Sequence, residues 1–179
     1  RRAEMLTVRA AIGFAVNWIA VRLPRFLDAH PKVPVRIVSS IWSEEIEVER
    51  YDLDVRYGHG NWPGFRADRL SAEVMEPLCL PEIAARLKRP DDLAAERLLH
   101  VLGWANWLQA AGAKKVQAGS GLHFDTSLMA FEVAAHGGGV ALGRRSMSAK
   151  EIASGRLVRP FDLAVPTQEG FFLLTPLDG

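Results

Sequence analysis

Apolar and polar positions along the chain alternate between two periods. Leu6–Ala10 is a short apolar-rich run that reads as a first strand. Ala15, Trp18, Ile19, Phe26 and Leu27 then fall on one helical stripe, with Pro24 placed to kink or interrupt it and Asp28–Pro31 to end it. Val35–Ser39 is almost continuously apolar and β-branched, as in a strand covered on both faces. A weakly periodic stretch, Glu44–Val48, suggests a short helix. Leu53, Val55 and Tyr57 form one face of a third strand, and Asp54 and Arg56 form the other. This strand runs into a loop carrying Gly58, Gly60, Trp62, Pro63 and Gly64. Strands alternating with helices in this rhythm predict a parallel α/β sheet.

Leu70–Leu80 is long and extended, enough to leave one lobe and enter another. Pro81 opens a short helix, and Pro90–Leu93 is a turn. Leu98–Leu102 reads as a strand. Trp104, Trp107, Leu108 and Ala111 follow at helical spacing, with Gly112 as C-cap and the two tryptophans as core. Gly121–Phe124 is a further strand. Asp125 or Thr126 caps a helix through Leu128, Phe131, Val133 and Ala135, and Gly139–Leu142 is a buried strand. Ser148 and Glu151 have capping-box spacing, with Met147 and Ile152 as the staple. Leu157–Phe161 and Phe171–Thr175 are late strands.

The 179 residues, 49% hydrophobic, are ample for a packed core. A net charge of +1 gives no sign of a polyanion-binding surface. No apolar run reaches the roughly 18 residues of a membrane helix. The single cysteine, Cys79, excludes an internal disulfide and fits a reducing compartment. The chain opens with Arg1-Arg2 and no Met, so it reads as a fragment.

Little in the sequence suggests catalysis. Cys79 lies in a β-like run among Leu78, Leu80 and prolines, which favours a buried, inert thiol. His30, His59, His100, His123 and His136 lack metal-ligand spacing, so no metal or cofactor is expected. Gly137-Gly138-Gly139 follows a helix and lacks the Lys and Ser/Thr of a phosphate loop. Glu44, Glu45, Glu47 and Glu49 read as a solvated face. Binding chemistry is better represented. Ser39 and Ser40 end a strand, Thr126 and Ser127 start a helix whose free N–H groups attract anions, and Arg56 offers a bidentate cation. Capping is the competing role for each hydroxyl.

Several blocks resemble the effector-binding domain of LysR-type transcriptional regulators, in the branch that contains the glycine-cleavage-system activator and the β-lactamase regulator AmpR. They are Leu23-Pro24-Arg25-Phe26 with His30-Pro31, Arg56-Tyr57-Gly58, Trp62-Pro63-Gly64, Pro77-Leu-Cys-Leu-Pro81, Leu99-His100, Trp104, Trp107-Leu108, Phe124-Asp125, Gly139-Val-Ala-Leu142 and Gly155-Arg-Leu-Val158. The resemblance covers nearly the whole chain. It implies an α/β fold of two Rossmann-like lobes joined by crossover strands, similar to type 2 periplasmic binding proteins. Lobe I would comprise residues 1–76 and 170–179, without the family's closing C-terminal helix, and lobe II residues 77–169. It also implies a small anionic effector held between the lobes by Ser39, Ser40, Arg56, Tyr57, Trp62, His100, Thr126 and Ser127. Gly13 stands where many relatives carry Ser or Thr. Further implications are a cytoplasmic homodimer, tetrameric in the full-length protein, and DNA contact only through a winged helix-turn-helix that this chain lacks. No membrane partner is implied. The rival readings are a transport solute-binding protein of the same architecture and an enzyme using Cys79 or Asp54.

Overall fold

A computed structural model describes residues 4–41 and 51–178. The chain divides into two compact units. Unit 1 comprises Arg1–Glu73 and Thr167–Gly179, and unit 2 is Val74–Pro166.

Unit 1 is built on a five-stranded sheet. Its strands are β1 (Leu6–Ala11), β2 (Val35–Ser40), β3 (Leu53–Gly58), β4 (Phe65–Arg69) and β10 (Gly170–Pro176), in the order β2-β1-β3-β10-β4. β1 runs parallel to β2 and β3, whereas β10 is antiparallel to both β3 and β4. The sheet is therefore mixed, not purely parallel as the element rhythm predicts. Side-chain period fixes which face a residue takes but not the direction in which a strand is entered. β10 comes back after the excursion through unit 2 and enters from the opposite end.

β1 passes directly into a helical run of α1 (Ile12–Phe14), a π-helical turn (Ala15–Ile19) and α2 (Ala20–Ala29). Pro24 lies inside α2 without ending it, and the irregularity falls one turn earlier, in the π segment. The expected apolar stripe is only partly covered. Phe14 is fully buried, stacked on Trp18 at 4.9 Å and 4.2 Å from the Phe171 ring. α2 has no buried residue, and Phe26 and Leu27 are 36% and 41% exposed. Trp18, Leu23 and Phe26 face Leu6, Val8, Val35 and Ile37 across an open apolar groove of about 300 Å³. The short helix expected at Glu44–Val48 lies outside the described residues.

Unit 2 carries β5 (Val74–Leu78), α3 (Pro81–Ala84), a 3-10 helix (Pro90–Ala95), β6 (Leu98–His100), α4 (Ala105–Ala111), β7 (Leu122–His123), α5 (Ser127–Ala135), β8 (Val140–Arg144), α6 (Arg145–Ala153) and β9 (Val165–Pro166). The strand order is β7-β6-β8-β5-β9. β6 is parallel to β7 and β8, and β5 is antiparallel to β8 and β9. Trp104 and Trp107 are core, as the spacing predicts. They are 0% and 1% exposed and meet edge to face at 5.7 Å. Each buried indole N–H is satisfied, donating to the Leu99 and Leu163 carbonyls at 3.1 Å. Gly112 ends α4 in the left-handed region, φ +67°.

Two local expectations are corrected. α6 starts at Arg145, three residues before the supposed cap, so Ser148 sits inside the helix with a fully buried side chain. β8 runs straight into the helix, leaving no room for a separate capping turn. Leu157–Phe161 forms no strand. Its pairing is one bridge, in which Cys79 and Val158 exchange N–H···O bonds of 3.1 and 2.9 Å. Pro160 has no N–H with which to continue a ladder.

Gly121 has φ +108°, and a Cβ there would collide with the Leu98 backbone carbonyl. Both the angle and the space require glycine. Gly121→Ala is expected to destabilise the protein by ~2–4 kcal/mol, which differential scanning calorimetry would register as a Tm drop of roughly 5–15 °C.

Candidate functional site

In unit 1 the carboxyl ends of β1, β2 and β3 lie side by side. Ser39 and Ser40 pair with Ala10 and Ala11, and Val55 pairs with Ala10, so Arg56 falls one step past the end of the β1–β3 register. Partners in parallel strands point to the same face. Ser40, Ala11 and Arg56 therefore share one face and one row, with the two outer strands about 10 Å apart. Ser39 and Tyr57 point to the opposite face, where Tyr57 meets the Phe171 ring at 5.1 Å. The five unit 1 residues of the expected set thus divide between the two faces of the sheet at its carboxyl edge.

Trp62 joins the Arg56 face. Its ring meets Phe172 edge-on at 5.7 Å, and Phe172 is the register partner of Arg56 on β10. The loop glycines permit this packing. A Cβ on Gly58 would strike the Trp62 ring, and one on Gly60, φ +93°, would strike Phe172. Phe65 lies beneath the Arg56 guanidinium, 5.6 Å from ring centre to Cζ.

Arg56 does not stand alone. Its Nε donates to Asp54 Oδ2 at 2.7 Å, and Asp54 also accepts from Arg9 Nε at 2.9 Å and Nη2 at 2.8 Å. A buried Arg56–Asp pair would by itself give Arg56 an ordinary structural role, and that pair is present. The Arg56 side chain nonetheless remains 26% exposed. Among the described residues its two Nη atoms have no hydrogen-bond partner.

In unit 2, β7 leads into α5 through Thr126, whose Oγ1 accepts from the Leu128 N–H at 3.3 Å. Thr126 is the N-cap, so that hydroxyl oxygen is used locally. Ser127 is 4% exposed, and its Oγ accepts from Arg144 Nη2 at 3.4 Å. His100 is 2% exposed, with Nε2 at 2.6 Å from the Ser120 carbonyl. A carbonyl only accepts, so Nε2 carries the proton. The His100 ring stacks on exposed His123 at 4.4 Å. Sequence reasoning missed two polar residues of this edge, Arg144 and His123. Arg144 escaped because β8 was expected to stop at Leu142, two residues short. His123 was placed in a strand, but one sequence gives no sign of its register with His100.

Cys79 is fully buried. Burial, with a lesser contribution from the Glu96 charge and a partial offset from Arg86, pushes its thiol up to about 12. The thiolate a nucleophile needs is therefore scarce at neutral pH. Among the described residues no group of three or more His, Cys, Asp or Glu side chains could hold a metal ion. No helix among them is long and apolar enough to cross a membrane.

A family model, the LysR substrate binding domain, matches residues 1–178. The chain belongs to the LysR substrate-binding domain family. Relatives within it include the transcriptional activator AmpR of Citrobacter koseri, 40% identical over 95% of this chain and 60% of its own length. The glycine cleavage system transcriptional activator of Escherichia coli K12 is 36% identical over 94% of this chain and 57% of its own length. The chain thus spans about three-fifths of the length of these LysR-family relatives. The effector domain of AmpR from Pseudomonas aeruginosa superposes with a TM-score of 0.85 at 36% identity, covering 98% of this chain and 87% of that one. The AmpR effector-binding domain from Citrobacter freundii gives 0.85 at 26% identity, covering 97% and 88%. The two-lobed LysR effector-domain fold is therefore the fold of this chain.

At pH 8 a thiol reagent is expected to label native Cys79 at least ~100-fold more slowly than the guanidinium-unfolded chain. Mass spectrometry of timed aliquots checks this, and rapid native labelling would restore the cysteine to consideration.

Proposed function

We propose that this chain is the ligand-sensing part of a LysR-type transcriptional regulator acting in the cytoplasm. The observation that carries this is the match along nearly its whole length to named transcriptional activators at 36–40% identity. DNA contact would come from a winged helix-turn-helix outside this sequence. Control would arise because the effector binds two conformations unequally. The solute-binding reading has no comparable support among the relatives. Sequencing the gene upstream of Arg1 tests the choice: a winged-helix segment is expected, and a secretion signal in its place would overturn it.

The ligand we propose is a small anion. In unit 1 the residues proposed to meet such an anion are Arg56, with Ser40 in its row and Trp62 beside it. In unit 2 they are Ser127 at the start of α5 and His100 on β6. A guanidinium and free helix N–H groups both select a carboxylate over a cation. Ser39 and Tyr57, on the opposite face of the unit 1 sheet, and Thr126, the cap of α5, complete the expected set. In a thermal-shift screen of amino acids, short peptides and aromatic acids, a true effector raises Tm because it binds only the folded state. Arg56→Ala and Ser127→Ala are each expected to reduce that rise by half or more, roughly. If both variants respond like the parent at matched ligand concentration, the site is misplaced.

We also propose a homodimer, with tetramers in the full-length protein. Support comes from α2, where Val21, Phe26 and Leu27 are 56%, 36% and 41% exposed, next to the edge strand β2. Sedimentation velocity at high concentration should show a dimer, shifted toward monomer by Leu27→Glu. A parent that stays monomeric throughout would count against this surface.

A further inference from the structure

The Arg9–Asp54–Arg56 array has a geometry that a simple ion cluster does not require. Arg9 and Asp54 are register partners on adjacent parallel strands, so both side chains rise from one face of the sheet. Arg9 grips the carboxylate with two parallel bonds, Nε to Oδ1 at 2.9 Å and Nη2 to Oδ2 at 2.8 Å. That fork fixes the plane of the carboxylate. The side chains of Arg9 and Asp54 are 2% and 8% exposed, so both sit in packed surroundings. Arg56, two residues further along β3 on the same face, adds a third bond, Nε to Oδ2 at 2.7 Å.

We propose that Asp54, clamped by Arg9, is a positioning residue that fixes the Arg56 guanidinium to receive the effector carboxylate end-on through its two Nη atoms. This rests on the reading of Arg56 as an effector contact. Arg9 alone accounts for tying β1 to β3. The third bond is the feature that strand pairing leaves unexplained. It occupies the Nε of Arg56, so a carboxylate docking on Nε and one Nη together is disfavoured. The Nη pair has no hydrogen-bond partner among the described residues, and Phe65 lies under the guanidinium face. A free arginine side chain loses much rotamer freedom when a ligand orders it. An arginine already held by a rigid carboxylate avoids most of that loss and gains affinity by preorganisation. The ligand class that fits is a single carboxylate presented edge-on, as in a free amino acid, a peptide C-terminus or an aromatic acid.

The test uses arginine side-chain NMR on the whole chain, with acetate, glycine, D-alanyl-D-alanine and benzoate as probes. In the unliganded parent, the Arg56 Nε–H should be ordered and slow to exchange. A binding probe should move the Arg56 Nη signals saturably and leave Nε–H almost unchanged. Asp54→Asn should weaken that probe roughly tenfold or more at a temperature where the variant is folded, a change a purely structural role would not produce. Asp54→Asn strands a buried arginine and can unfold unit 1, so the measurement on the unliganded parent stands independently of it. A mobile Arg56 side chain in that state, or an unchanged Kd in a folded Asp54→Asn, overturns the positioning role and leaves Arg56 as a contact. If no probe moves Arg56, the effector reading fails at this residue and the positioning role falls with it.

Discussion

A carboxylate taken into the interior of a sheet must be matched on the spot, because an isolated buried charge costs several kcal/mol. Asp54 meets that demand through Arg9 on the neighbouring strand. The pairing works only when β1 and β3 lie parallel in the observed register, with Arg9 opposite Asp54. A slip of one residue would send the two side chains to opposite faces. The ion pair therefore specifies the register of the central strands. That register places Ser40, Ala11 and Arg56 in one row, and β10 then adds Phe172 opposite Arg56.

The two units meet the requirement for a core differently. Unit 2 has a closed interior, with Trp104, Trp107, Leu93, Leu98 and Leu157 at 1% exposure or less. It also holds a buried carboxylate that is fully paired. Glu76 takes Arg145 on both oxygens and Arg159 on one. In unit 1 the helix above the sheet leaves apolar side chains along an open groove. Scattered apolar exposure is ordinary on protein surfaces, but a continuous strip on one helix is a face awaiting cover.

The sequence made elements legible where period and punctuation agreed. Trp104 to Gly112 was readable because helical spacing and a C-cap glycine coincide, and β3 because Asp54 and Arg56 alternate with Leu53, Val55 and Tyr57. Strand direction was not readable for β10, nor was the join between β8 and α6, because neither leaves a local mark. At the candidate site, residue types were easier to find than their roles. Arg56 stood out beside a Gly-rich loop, whereas the Arg9–Asp54 pair beneath it spans 45 positions and appears only once β1 and β3 are paired. Ser39 and Ser40 looked equivalent in sequence, and the pleat separated them. Thr126 proved to be a cap, with the start of α5 in the expected place.

The late arrival of β10 has a consequence for the order in which the molecule can be assembled. Unit 2 is an uninterrupted stretch, so its contacts can form as soon as that stretch exists. Unit 1 cannot be completed until β10 inserts between β3 and β4, far downstream. A flexible intervening chain would make that closure entropically costly, and a compact one shortens the effective loop. Unit 2 thus serves as the staple that brings the last strand home. During synthesis, the sheet carrying Arg56 is the part that waits longest for its final neighbour.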